Sequence, residues 1–322
     1  MIIVPEAEIA GLIDAEASFQ AVEQVFAAMA AGDAYNFPVV REAIGHEDAL
    51  YGFKGGFDRS GLVLGLKAGG YWPNNLERRN LINHQSTVFL FDPDTGKAKA
   101  MVGGNLLTAL RTAAASSVSI KHLARAEAKV LGMVGAGHQS HFQLRAAARQ
   151  RDFERVVAWN YHPEMLPKLG ETAAELGLPF ESVTLEELGA QADVIITITS
   201  AFAPSLMDGH VRPGTHLACM GTDTKGKQEV EAALLARATV FTDEVAQSVA
   251  IGEAQHAVGQ GQKPEAEIHQ IGAVINGAHP GRTAPEEVTL FDGTGVGLQD
   301  LAVADRAVQI AVARGVAQTV DF

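Results

Sequence analysis

Val130-Leu131-Gly132-Met133-Val134-Gly135-Ala136-Gly137-His138-Gln139-Ser140 is an apolar run that ends in two closely spaced glycines and passes into helical periodicity. Strand, glycine turn and helix, in that order, form the context a dinucleotide-binding fingerprint requires. Gly135 permits the tight turn. Gly137 lets the backbone approach a pyrophosphate, which then rests on N–H groups at the start of the helix. Ser140 stands at the third glycine position and is small enough for close helix–strand packing. Similar turns occur in α/β proteins that bind no nucleotide, so the surroundings decide.

Downstream, Arg155 to Trp159, Asp193 to Thr199, His216 to Met220 and Thr239 to Thr242 are apolar at nearly every position and alternate with helical stretches. Such strands belong to a parallel sheet covered on both faces. Asn160 closes the second of them, 25 residues after Gly135, where an NAD-specific domain commonly offers Asp or Glu to the ribose 2′-hydroxyl. Asn can still hydrogen-bond that hydroxyl, and no Arg or Lys lies between Tyr161 and Leu166 to grip a 2′-phosphate. The reading is NAD(H) rather than NADP(H).

Upstream the rhythm differs. Ala15, Phe19, Val22, Phe26 and Met29 recur at helical spacing between a capping Asp14 and a terminating Gly32. Two hairpins follow, one turning at Asp58-Arg59-Ser60-Gly61 and one at Asp92-Pro93-Asp94-Thr95-Gly96. Residues 1 to about 104 therefore read as an α+β unit with an antiparallel sheet. A last helical stretch, Gly297 to Gly315, lies beyond the parallel sheet and is expected to return to the first unit.

The 322 residues carry 38 acidic against 25 basic side chains, a net charge of −13 without any basic run. That surface repels phosphate backbones and anionic lipid, so nucleic-acid and membrane partners are not expected. Hydrophobic residues at 47 % are ample for a packed core. The single Cys219 excludes an internal disulfide and a cysteine-based zinc site, and no metal site is expected. The N-terminus lacks the pattern of a signal peptide, and no apolar stretch is long enough to span a bilayer. A soluble, cytoplasmic protein is expected.

Three cations stand in apolar or glycine-rich settings: Arg41, Lys67 and Arg111. Lys67 lies in Gly65-Leu66-Lys67-Ala68-Gly69-Gly70, where a ligand has room to approach. Arg111 lies in an apolar, Ala-rich helix and needs a partner, either a ligand carboxylate held bidentately or an internal Asp or Glu. Asp223, in the loop after the fourth apolar strand, lies where such folds line their ligand crevice, and can exchange a proton there. An isolated Asp in such a loop is otherwise an N-cap or turn residue. His138 beside the glycines and His84 after an expected loop are the histidines to watch. Ser116 and Ser117 belong to no nucleophile elbow.

Five blocks, at 65–70, 107–116, 135–139, 221–229 and 292–300, together resemble the ornithine cyclodeaminase/mu-crystallin family over essentially the whole chain. The resemblance implies a Rossmann-type parallel-sheet domain inserted into an α+β substrate and dimerisation domain. Its parts would be residues 1–112, 113–296 for the NAD-binding domain, and a returning helix at 297–322, in a homodimer. It implies that Arg41, Lys67 and Arg111 hold the substrate α-carboxylate and flank the reacting nitrogen, and that Asp223 handles the proton. Gly135, Ala136, Gly137, His138 and Gln139 would form the pyrophosphate turn, with Asn160 at the ribose. Arg111, Thr112, Gly293 and Thr294 would face the nicotinamide. The implied reaction is NADH-dependent reduction of an α-imino acid, and the pattern is most similar to members that turn iminosuccinate into L-aspartate. A second carboxylate would need a further partner, for which His84, Arg78 and Arg79 are candidates. The alternatives are alanine dehydrogenation, cyclic ketimine reduction or ornithine cyclodeamination on the same scaffold, or a non-catalytic binding protein.

Overall fold

The computed structural model describes residues 1–322. They form two compact units, Met1–Arg111 with Val296–Phe322, and Thr112–Gly295. The first begins with β1 (Ile2–Val4), α1 (Glu6–Leu12), α2 (Ala15–Ala30), β2 (Ala34–Asn36), β3 (Val40–Ala43), β4 (Leu50–Asp58) and β5 (Val63–Tyr71). It continues through α3 (Asn75–Arg79), β6 (His84–Phe91), β7 (Ala98–Gly103) and α4 (Asn105–Leu123). The division falls inside α4, and again just before the last helix, in each case one residue earlier than expected. Because α4 is continuous, no linker composition marks the first boundary.

The second unit runs β8 (Val130–Val134), α5 (His138–Ala147), β9 (Arg155–Trp159), α6 (Leu166–Glu175), β10 (Phe180–Ser182), α7 (Leu185–Gln191), β11 (Val194–Thr197), β12 (Phe202–Leu206) and β13 (His216–Cys219). Then come β14 (Gln228–Val230), α8 (Ala232–Arg237), β15 (Thr239–Thr242), α9 (Val245–Ile251), α10 (Ala254–Gly259), β16 (Ile268–Gln270), α11 (Ile271–Ile275) and β17 (Thr289–Asp292). The chain ends with α12 (Gly297–Ala313) and β18 (Gln318–Thr319) in the first unit.

In the second unit eight strands run parallel in the order β10-β9-β8-β11-β13-β17-β15-β16. The strand order reverses between β8 and β11, so the loops that leave these two strands flank a topological switch point. The four residues of β17 slot between β13 and β15, and all four are buried. The sequence reading passed over it, although it is as long as β11, β13 and β15. The pair β12–β14 forms a small separate sheet.

In the first unit β4, β5, β6 and β7 pair antiparallel in succession, as the two hairpin turns require. The antiparallel sheet is as expected except that β1, beside the edge strand β18, runs parallel to β7. Asp14 caps α2 by accepting the Ala17 amide at 2.8 Å. The last helix packs across β4 and β5, on the same face as α2. It comes so close that a Cβ on Gly297 would lie 2.7 Å from the Gly55 nitrogen. That approach sets the next turn of α12, with Gln299 and Asp300, over Lys67.

Candidate active site

In the first unit β5 directs Lys67 inward, and the residue is only 7 % exposed. Its Nζ donates to Asp300 Oδ1 at 3.0 Å, lies 2.9 Å from Oδ2, and reaches Thr108 Oγ1 at 3.4 Å. Arg111 of α4 meets the same carboxylate, Nε to Oδ1 at 3.0 Å, and its Nη1 donates to Gln299 Oε1 at 3.0 Å. The internal partner that the sequence left open for Arg111 is therefore Asp300, 189 residues away along the chain. One wholly buried carboxylate serves both cations, so the trio keeps one surplus positive charge.

Burial pushes the Lys67 ammonium down from its usual value near 10.5 to about 8, while Asp300 resists and Arg111 and Lys54 add to the fall. Burial alone would raise the Asp300 carboxyl, but the charges of Arg111 and then Lys67 hold it below its usual range. Lys54 sits directly opposite Lys67 in the β4–β5 register, hence on the same sheet face. His84 follows the loop 80–83, as expected, and opens β6; burial, reinforced by Lys67 and Arg111, pushes it down to about 4. At neutral pH it is an uncharged donor or acceptor.

Arg41 departs from its expected setting. It lies on β3, whose four residues are all exposed, although its charge is felt by His84. Arg78 and Arg79 both pair with Glu47 on the surface, at 3.0 and 3.1 Å, and stand apart from the buried trio.

In the second unit Gly135 adopts φ +111°, and a Cβ there would lie 2.5 Å from the Ile198 carbonyl oxygen, so only glycine fits the turn from β8 to α5. Gly137 is the N-cap of α5 with no side-chain cap, and a Cβ on it would have no atom within 4 Å. The helix start is thus open toward an anion. The Ala136 amide donates to Asn160 Oδ1 at 3.1 Å, and Asn160 Nδ2 donates to the His162 carbonyl at 2.8 Å. Asn160 thereby ties β9 to the glycine turn. The His138 ring packs edge-on against Phe142, and Gln139 keeps a buried Oε1 without a hydrogen-bond partner.

The Asp223 carboxylate accepts from Lys227 Nζ at 2.8 Å and Thr224 Oγ1 at 3.2 Å. Its loop is braced from beneath. Glu229 accepts from the Gly221 amide at 2.8 Å, and Glu253 accepts from the Thr222 hydroxyl and the Val230 amide. Thr294 follows β17, where its amide and hydroxyl and the Gly295 amide all donate to Asp243, at 3.2, 2.6 and 2.7 Å. Gly293 faces Met220, whose sulfur a Cβ would meet at 2.6 Å. Thr112 is buried on α4. Asp300, Gln299, Lys54, Glu229, Glu253 and Asp243 were not singled out from sequence. Of these, Gln299 and Asp300 end the block at 292–300 and Glu229 ends the block at 221–229; the others had no signal. No cluster of three His, Cys, Asp or Glu side chains is arranged to hold a metal, and no helix is long and apolar enough to cross a membrane.

The profile of the ornithine cyclodeaminase/mu-crystallin family matches residues 2–313. The iminosuccinate reductase of Paracoccus denitrificans (strain Pd 1222) is 68 % identical over 322 residues, all of both chains. The crystal structure of the Paracoccus denitrificans enzyme in complex with NAD+ superposes with a TM-score of 0.97, covering 100 % of this chain and 99 % of that one. An archaeal alanine dehydrogenase dimer with bound NAD, 30 % identical, gives 0.94 over 100 % and 99 % of the two chains. From its whole-length match and its parallel NAD-type fold, the chain belongs to the ornithine cyclodeaminase/mu-crystallin family.

Proposed function

We propose that this chain is an NAD-dependent oxidoreductase acting on C=N, and that it reduces iminosuccinate to L-aspartate. The carrying observation is the buried pair Lys67 and Arg111 sharing the single carboxylate of Asp300, which leaves positive charge for a substrate carboxylate to offset. The choice of iminosuccinate rests on the full-length likeness to the Paracoccus denitrificans enzyme.

Arg111 and Lys67, assisted by Arg41 and the neutral His84, hold the α-carboxylate and present the imine. The open N-terminus of α5, with Gly135, Ala136, Gly137, His138 and Gln139, fits a pyrophosphate, and Asn160 fits the ribose; Arg111, Thr112, Gly293 and Thr294 are assigned to the nicotinamide end. When bound, NADH supplies a hydride to the imine carbon. The nitrogen takes one proton, so C=N becomes the C–N single bond of the amine. Lys67, lowered to about 8, is suited to deliver that proton. Asp223 is assigned to proton handling from the loop after β13.

The first unit is assigned to dimerisation as well. Val40, Ile44, Tyr51, Phe53 and Tyr71 on β3 to β5 and the following loop are exposed, a patch suited to a second copy. Cytoplasmic NADH would supply the reaction. The test follows NADH loss by absorbance with oxaloacetate plus ammonia, with pyruvate plus ammonia, and with a cyclic imino acid. Turnover fastest with the first, yielding aspartate, is the expected result. Preference for another substrate overturns iminosuccinate, and no NADH loss with any overturns the reductase reading.

A further inference from the structure

Asp300 is wholly buried, and both of its strong interactions are with the two cations to which the proposed function gives the substrate. Glu47 also bridges two cations, but on the surface, whereas Asp300 does so where water is excluded. Here one oxygen, Oδ1, is shared between the Lys67 ammonium at 3.0 Å and the Arg111 Nε at 3.0 Å, and Lys67 Nζ also lies 2.9 Å from Oδ2. Gln299, the preceding residue on α12, takes Arg111 Nη1 at 3.0 Å. These two contacts fix the guanidinium plane and leave Nη2 for a ligand.

We propose that Asp300 is a positioning residue of the reaction: it aims Arg111 at the substrate carboxylate and keeps the proton that Lys67 delivers on the Lys67 ammonium until the imine arrives. The inference rests on the reductase reading above.

The charged and titratable groups facing Lys67 come from every neighbouring element. They are Asp300 from α12, Arg111 from α4, Lys54 from β4 and the neutral His84 from β6, with the Thr108 hydroxyl of α4 as a non-titrating partner. Asp300 is the only negative charge among them. Burial, Arg111 and Lys54 all drive the proton off Lys67, and Asp300 alone opposes them. After Lys67 gives up its proton, the Asp300–Arg111 pair remains neutral in itself, so the transfer strands no bare carboxylate in the protein.

The experiment compares wild type with Asp300→Asn and Asp300→Glu, following NADH loss with oxaloacetate plus ammonia across pH 6 to 10. In wild type kcat/KM falls on the alkaline side as Lys67 loses its proton, near pH 8. Asp300→Asn is nearly isosteric but uncharged. Its kcat/KM should drop about 10- to 100-fold, the range for outer carboxylates that orient a working group. Its alkaline limb should also move toward acid by about one pH unit or more, the effect of removing an opposite charge at this distance. Asp300→Glu keeps the charge but alters the reach, so its limb should stay in place while kcat falls. NADH fluorescence titration and circular dichroism check that each variant is folded.

A purely structural Asp300 would lower the melting temperature of both variants and leave the limb where it is; that result overturns the proposal. If Asp300→Asn does not fold, Asp300→Glu still decides, because a limb that moves with the charge retained also overturns it. Failure of wild type to consume NADH with this substrate would count against the reductase reading itself, which separates the two.

Discussion

Lys67, Arg111 and Asp300 in the first unit and Glu229, Glu253 and Asp292 in the second are about equally removed from water, yet burial leads them to opposite ends. In the first set the carboxyl is held below its usual range by two cations, and positive charge is left over. In the second set all three carboxyls are pushed up, chiefly by burial, Glu253 to about 8 and Asp292 to about 7. Their partners are neutral donors. Glu229 accepts from Thr197, Thr199 and Gly221, Glu253 from Thr222, Glu229 and Val230, and Asp292 from Ser248 and Ala254. Each of these carboxyls is neutralised by a proton of its own rather than by a cation. The first keeps one surplus positive charge for as long as Lys67 holds its proton, so it is the one that calls for an anionic ligand.

The strongest way to break this contrast is to remove the surplus charge. Lys67→Met and Arg111→Met should each lower kcat/KM with iminosuccinate by about 10²- to 10³-fold. Circular dichroism of both variants, and NADH binding of Lys67→Met, should remain near wild type. A Lys67→Met protein that keeps more than about a tenth of the activity would show that the cationic cluster is not the substrate site.

The second cluster is probed through stability rather than turnover. A carboxyl whose folded value lies above its unfolded one favours folding fully below the unfolded value, near 4.5 for Glu253, and that contribution is lost as pH rises through about 8. Wild type should therefore lose stability relative to Glu253→Gln between about pH 5 and pH 8 in urea unfolding. Parallel stability curves for the two proteins would mean that Glu253 is ionised and that the contrast between the clusters is misdrawn.

The smallest effect is expected at the surface. Arg79→Ala breaks an exposed pair with Glu47, and such pairs contribute little, so the melting temperature should stay within about 2 °C of wild type. A larger loss would mark the Glu47 region as part of a more extensive charged network.

The fold was legible wherever local chemistry repeats. The apolar strands β8, β9, β11, β13 and β15, the glycine turn and the hairpins stand out in sequence because each carries its own period or turn residues. The inserted β17, no shorter than β11, β13 or β15, was passed over because it runs directly into the glycine-rich block at 292–300, and the parallel pairing of the three-residue β1 with β7 carries no register signal. At the candidate site Lys67, Arg111 and Asp223 were visible as charges in unusual company. Asp300 was visible only as the end of a glycine-rich block, and Glu253 not at all, because an acidic residue next to a short helix looks like any solvated one.

By itself the sequence determined the two kinds of sheet, the dinucleotide turn, the family and the presence of cations that need partners. Those features are set by local steric and hydrophobic patterning, which acts over a few residues. Only the tertiary structure decided which partner each ion has. Glycines at 55 and 297 let α12 settle on β4 so closely that Asp300 reaches residues 233 and 189 positions away. Electrostatic pairing depends on distance through space and on the exclusion of water, and neither is written along the chain.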